Sequence, residues 1–135
     1  MIKFPKKYIK KGKFKLHSGQ ESDVFYDVNS LLTEWKHLGL EIIESIDNIG
    51  YFNSYVGIAT GGAIIASQYE PFAMIKDGEL KGRVEGDYCL IDDVVTTETS
   101  IREAIDIIGY EPKKIIVCVD RRENKELDIN AIYSI

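Results

Sequence analysis

Four apolar runs decide what this chain can fold into: "YVGIA" (55–59), "PFAMI" (71–75), "YCLI" (88–91) and "KKIIVCVD" (113–120). None alternates polar with apolar, as a strand with one wet face would. A near-continuous apolar run of this length reads as a strand covered on both faces, and such strands belong to parallel sheets sandwiched between helices. Helical stripes lie between the runs. Trp35, Leu38, Ile42, Ile46 and Ile49 recur every three or four positions, predicting one amphipathic helix over 32–49 that Gly50 stops. Ile101, Ala104, Ile105 and Ile108 make a second stripe ended by Gly109, and "GGAIIASQ" reads as a glycine-opened turn into a short helix. "NAIYSI" predicts a last strand, and "KFKLHS" and "DVFYDV" predict two short strands around the polar turn "SGQES". The expected fold class is α/β, a mainly parallel twisted sheet flanked by helices and connected by right-handed crossovers.

The 135 residues suit one domain, and 44% hydrophobic with 29% charged residues is ordinary globular composition. No apolar run approaches the roughly 20 residues of a membrane span. The basic start "MIKFPKKYIKKGKFK" lacks the apolar stretch of a secretory signal, so the expected location is cytoplasmic. Seven lysines precede the first acid, Glu21, yet the net charge is −5. The basic arm is read as a solvated edge and the acidic remainder argues against a nucleic-acid binder. Cys89 and Cys118 sit inside strand-like runs and are read as buried thiols, not a disulfide. With His17 and His37 they lack metal-ligand spacing.

In open parallel sheets the ligand lies beyond the carboxyl ends of the strands. Three predicted strands end there in chemically loaded turns: "ATGG", "DDVVTTETS" and "DRRE". The second leads into a helix expected to begin near Ile101, and helix N-termini bind phosphate through unpaired N–H groups. Ser100 and Glu103 match a capping box, which explains Ser100 but leaves Thr96, Thr97 and Thr99 unexplained. A phosphate cradle accounts for all four hydroxyls. Asp92 and Asp93 precede it, and carboxylates accept hydrogen bonds from vicinal sugar hydroxyls or hold the water shell of Mg²⁺. Together they fit a ribose phosphate.

"CLIDDVVTTETSIREA" resembles the signature of type I phosphoribosyltransferases, enzymes that use phosphoribosyl pyrophosphate (PRPP). Within that group the chain looks most like orotate phosphoribosyltransferases. "FKLHSGQESDVFYDVNSLL" resembles their substrate-side segment, "VGIATGGAIIAS" their pyrophosphate loop, "PFAMIK" the strand entering their mobile loop, and "VCVDRRE" the segment beside the base. The resemblance implies a single domain over 1–135, with 1–30 as an N-terminal hood and 31–135 as a Rossmann-like core. It implies that Asp92 and Asp93 bind the ribose hydroxyls, and that Thr96, Thr97, Glu98, Thr99 and Ser100 bind the 5′-phosphate. Thr60, Gly61 and Gly62 would hold pyrophosphate, where missing side chains admit the backbone to the oxygens. Phe25 and Tyr26 would shape the base site, and Arg121 would face orotate. Lys76 matches the first basic position of the mobile loop and joins Asp92 and Asp93 as a catalytic residue. Magnesium is expected as cofactor, held by substrate oxygens and water with no direct protein ligand. The implied reaction transfers phosphoribose from PRPP to orotate, giving orotidine 5′-phosphate and pyrophosphate. A homodimer without nucleic-acid or membrane partners is implied as well. The residues alone leave open a transferase for a purine or uracil, or a PRPP- or nucleotide-binding regulator without catalysis.

The sequence departs from that pattern in places. "KDGELKGRVEGD" is short for a mobile loop and has no histidine; Asp77 follows Lys76, with Lys81 or Arg83 as alternative donors to pyrophosphate. His17 stands where a lysine is common, and Asn29 where an arginine is. Glu98 occupies a position often held by glycine. A charge there, within about 5 Å of a phosphate, costs roughly 1–3 kcal/mol. The Glu98 carboxylate is therefore expected to point to solvent, with only its backbone N–H lining the cradle.

Overall fold

A computed structural model describes residues 1–16 and 19–135. Seven strands form one sheet in the order β1-β9-β8-β7-β4-β5-β6, and two form a separate hairpin, β2-β3. Those strands are β1 Ile2–Lys3, β2 Ile9–Lys15, β3 Glu21–Tyr26, β4 Ser54–Ile58, β5 Phe72–Lys76, β6 Glu79–Lys81, β7 Tyr88–Val95, β8 Lys114–Asp120 and β9 Asn130–Ser134. Every pairing in the large sheet is parallel except β5 with β6. The helices are α1 Val28–Leu31, α2 Trp35–His37, α3 Glu44–Ile49, α4 Gly61–Ala66 and α5 Thr99–Ile108.

The apolar runs are buried on both faces, as their composition requires. Along β7, Cys89 and Ile91 join a core with Leu31, Ile42, Ile46 and Ile65, while Tyr88 and Leu90 join a second core with Ile101, Ala104 and Ile105. Helices α1 to α4 thus cover one face and α5 the other. Cys89 and Cys118 are free and buried, and burial pushes the Cys89 thiol up to about 12. At that value neither metal binding nor exchange chemistry is favoured.

Three local expectations fail, each for a physical reason. The helix expected over 32–49 starts later, at Trp35, and is not α-helical throughout: α1 ends at Leu31, and between α2 and α3 the residues Leu38–Ile43 wind as a π-helix. The wider winding keeps Leu38, Ile42 and Ile46 inside but carries Trp35 off the stripe, where it is 63% exposed. Its ring lies over Gly39, where a Cβ would clash with the indole. Helix α5 begins at Thr99, two residues ahead of Ile101, with Glu98 as N-cap and no side-chain cap bond, so Ser100 is inside the helix and the expected capping box is not made. Finally, the polar stretch after β5 holds a strand. Asp77 (φ 51°) and Gly78 (φ 75°) form a two-residue turn that pairs Lys76 with Glu79. Positive φ at both central positions is the Asp-Gly hairpin turn, whose twist matches the flanking strands.

The hairpin β2-β3 is tied to the sheet from beneath. Arg121, just past β8, donates from Nη1 to Val24 O (3.3 Å) and from Nη2 to Ser22 Oγ (2.9 Å), and its Cζ lies 5.0 Å from the centre of the Tyr26 ring. Phe4 packs edge-on against both Tyr26 and Tyr133, so the start of the chain belongs to the main core. Of the seven early lysines, Lys10 pairs with Asp27 (2.8 Å) and Lys7 with Glu34 (3.0 Å). His17 and Ser18 lie outside the described residues.

Helix α4 sits directly on backbone. A Cβ at Gly57 would overlap the Gly62 carbonyl, and one at Gly62 would overlap the Ile91 carbonyl. Both obstacles are main chain, which cannot swing aside. Gly57→Ala should therefore destabilise the fold by about 3 kcal/mol, read as a lower urea midpoint at unchanged slope.

Candidate active site

The strand order reverses between β4 and β7, which is where a crevice opens at the carboxyl edge of such a sheet. The turn after β4 and the turn after β7 flank it, and the end of β8 lies beside β7. Strand β7 runs on through the acid pair to Val95, so Asp92 and Asp93 stand within the strand, not past its end. Alternation sends them to opposite faces. Asp92 is 7% exposed and Asp93 half-buried. Asp93 N donates to Asp92 Oδ1 (2.8 Å) and Val94 N to Asp93 Oδ1 (2.7 Å).

A cavity of about 240 Å³ opens there, and Phe25, Tyr26, Thr60, Asp92, Asp93, Thr96, Ser100 and Arg121 all line it. The hairpin supplies the first two, the β4 turn the third, β7 and its turn the next four, and β8 the last. Lys15 and Asn29 line it too; Asn29 stood out in the sequence only as a departure from the family pattern, and Lys15 was not singled out. Only closure of the hairpin and of α1 over the sheet brings them in, and no local pattern marks that. Thr97 and Thr99 line an adjoining hollow of about 250 Å³ at the start of α5, shared with Asp92, Thr96 and Ser100. Thr97 Oγ1 donates to Thr99 Oγ1 across 3.2 Å.

Three expected residues sit differently. Gly61 and Gly62 are buried and line neither hollow; their missing side chains serve packing. A Cβ on Gly61 would come within 2.7 Å of Asp93 Cβ and 2.8 Å of Asn29 Oδ1. Lys76 is exposed at the end of β5, outside both hollows. Of the alternative donors, Lys81 pairs with Glu79 (2.7 Å) and Arg83 with Glu85 (3.4 Å), both in solvent.

Comparison with known proteins bears on the family and the fold. No protein-family model matches the chain. The orotate phosphoribosyltransferase of Methanosphaera stadtmanae is 34% identical over 140 residues, spanning 87% of this chain and 78% of that protein. The chain belongs to the orotate phosphoribosyltransferase family. The crystal structure of orotate phosphoribosyltransferase from Aeropyrum pernix superposes with a TM-score of 0.69 at 28% identity, covering 84% of this chain and 76% of that one. The structure of Leishmania donovani UMP synthase gives 0.71 at 25% identity, covering 84% of this chain and 29% of that one.

In this phosphoribosyltransferase Glu98 does not point to solvent. The residue is 9% exposed. Its Oε2 accepts from Arg122 Nη1 (2.6 Å) and from the amides of Glu126 and Leu127 (2.9 Å each), and its Oε1 accepts from Arg102 Nη2 (2.7 Å). The expectation failed because it weighed the carboxylate only against a phosphate. Two guanidinium groups and two amides make the interior the better solvent for it. Arg102 was visible in the sequence as an i, i+4 partner, whereas Arg122 is 24 residues away and gave no local signal. Arg122 also donates to Asp120 (Nη2 to Oδ2, 2.8 Å) and to the Leu127 carbonyl (2.8 Å).

These surroundings set two opposite shifts. Burial, reinforced by the Asp93 carboxylate, pushes Asp92 well above the usual carboxylate range. Burial also works to raise Glu98, but the Leu127 and Glu126 amides with Arg122 and Arg102 outweigh it and hold Glu98 at about 2. A depressed carboxylate stabilises the fold above its ordinary value, and that contribution is lost as pH falls through the folded value. Wild type should therefore lose more stability than Glu98→Gln between pH 4.5 and about 2, measured by urea midpoints across that window. At pH 7 Glu98→Gln should cost about 2 kcal/mol, since Arg122 retains Asp120. Asp92 has the other sign: its contribution is present below the ordinary value and lost as pH rises through the raised one. Asp92→Asn, neutral throughout, should be more stable than wild type at pH 8, with the gap closing on acidification.

Proposed function

We propose that this chain transfers the phosphoribosyl group of PRPP to orotate, giving orotidine 5′-phosphate and pyrophosphate. The observation that supports this most is the meeting of both aspartates, the hydroxylated turn, Thr60 and Arg121 around one cavity. Each group has a task set by its chemistry. The N-terminus of α5, a ten-residue helix, offers N–H groups to the 5′-phosphate, and Thr96, Thr97, Thr99 and Ser100 add hydroxyl donors. Asp92 and Asp93 accept hydrogen bonds from the ribose hydroxyls, which holds the sugar with its anomeric carbon toward the β4 turn. Thr60 lies on the pyrophosphate side, and Lys76 is on the same side because β5 is the next strand after β4.

Breaking the bond between the anomeric carbon and pyrophosphate oxygen builds positive charge on the ribose ring, and a ring nitrogen of orotate forms the new bond as its proton passes to the departing pyrophosphate. The protein's work is then to position both partners and to stabilise the leaving anion. On the base side, Arg121 has two N–H groups committed to the hairpin, and the rest of its fork is left for the carboxylate and carbonyl oxygens of orotate. Phe25 and Tyr26 supply aromatic walls, with Phe25 stacked on Phe14.

Among the described residues no group of three or more His, Cys, Asp or Glu side chains is placed to hold a metal ion. Two adjacent carboxylates beside a phosphate cradle fit a magnesium ion that takes most of its ligands from substrate oxygens and water. Bound there, it would neutralise charge on the departing pyrophosphate. The family resemblance carries with it a homodimer, and the basic start without an apolar stretch suits a cytoplasmic setting.

Incubation with PRPP, Mg²⁺ and one base at a time should release pyrophosphate with orotate and not with uracil or a purine. Turnover with another base would reassign the activity, and PRPP binding without turnover would make the protein a regulator. Asp92→Asn combined with Asp93→Asn should abolish PRPP binding by calorimetry while the fold survives; retained affinity would refute the site.

A further inference from the structure

Resting on the reading of turn 96–100 as a phosphate cradle, we propose that Glu98 is a positioning residue that makes the cradle and loop 122–127 one mechanical unit. Its carboxylate is the junction of three pieces of chain. Oε1 reaches Arg102, one turn into α5. Oε2 reaches Arg122, which follows Arg121 at the end of β8, and the amides of Glu126 and Leu127. Arg122 closes the ring through Asp120 and the Leu127 carbonyl, and Arg121 N donates to Val95 O (2.8 Å), joining the two strand ends by backbone. The turn is thus held at its start by β7, at its end by α5 and in its middle by Glu98.

This arrangement does two things for an anion. The carboxylate is committed to two guanidinium groups and two amides, so its charge is already met within the protein while the turn offers backbone N–H and hydroxyl groups to the ligand. The same bonds connect the phosphate end of the site to the segment that starts at Arg121, on the base side. Moving one end disturbs the other, because a single carboxylate satisfies both. By reciprocity, if an ordered loop favours the phosphate, the phosphate favours the ordered loop.

The test uses ribose 5-phosphate as probe, with amide hydrogen exchange and calorimetry on the full chain. In wild type the probe should slow exchange of the Glu126 and Leu127 amides. Glu98→Gln should lose that slowing and bind the probe about tenfold more weakly, the scale of one charged hydrogen bond. A mere loop staple would speed exchange in the variant without making it depend on ligand. Wild-type exchange at 126 and 127 that ignores the probe overturns the proposal, even if the variant fails to fold. So does variant affinity within about twofold of wild type, less than half of one kcal/mol. Failure of wild type to bind ribose 5-phosphate refutes the cradle and this inference together. Binding and coupling without transfer to orotate refutes only the activity.

Discussion

The contact of helix α4 with bare backbone governs the rest of the molecule. Gly57 on β4 and Gly62 on α4 remove the side chains that would hold helix and strand apart, and Gly62 meets the Ile91 carbonyl on β7. The helix therefore starts immediately beyond β4, with Thr60 as its N-cap, next to the acid pair of β7. A helix standing one methyl group farther out would carry Thr60 away from Asp93. Packing and chemistry share the same glycines here, which is why Gly61 and Gly62 are buried and leave the lining of the cavity to Thr60.

Two kinds of carboxylate then sit a few residues apart on one stretch of chain. Asp92 is buried with a like charge beside it and is destabilised in its ionised form, the condition in which hydroxyl or cation partners gain most. Glu98 is buried among opposite charges and amides, and its ionised form is the stable one. One carboxylate is left wanting a partner and the other is satisfied by the protein itself. That difference separates binding groups from structural ones more clearly than residue type does.

Much of this was legible in the sequence because the relevant signals are local. The runs "YVGIA", "PFAMI", "YCLI" and "KKIIVCVD" all fall within strands or their immediate edges, since doubly buried strands need unbroken apolar stretches. The idea that three strand-end turns meet also follows from a parallel sheet alone. What was not legible depends on distant partners or on backbone winding. The π-helical residues Leu38–Ile43 keep an apolar stripe while widening the winding of the helix, so periodicity could not reveal them. β6 is polar because it pairs at the rim of the sheet, and only its Asp-Gly turn hints at it. The inward course of Glu98 depends on Arg122 and on amides 126 and 127, brought near by the β7-β8 pairing. Lys15 and Asn29 lie inside the stretch that resembles a substrate-side segment, but which of its residues reach the cavity depends on how the hairpin and α1 fold over the sheet.

The Asp77-Gly78 turn has a thermodynamic meaning of its own. Both residues already occupy the left-handed region and the strands beside them are already paired. A long flexible segment in that place would have to surrender conformational freedom whenever substrate arrived, and part of the contact energy would offset that loss. A two-residue turn surrenders almost none. The β5-β6 edge has its shape already set, so any contact made there is not offset by order acquired.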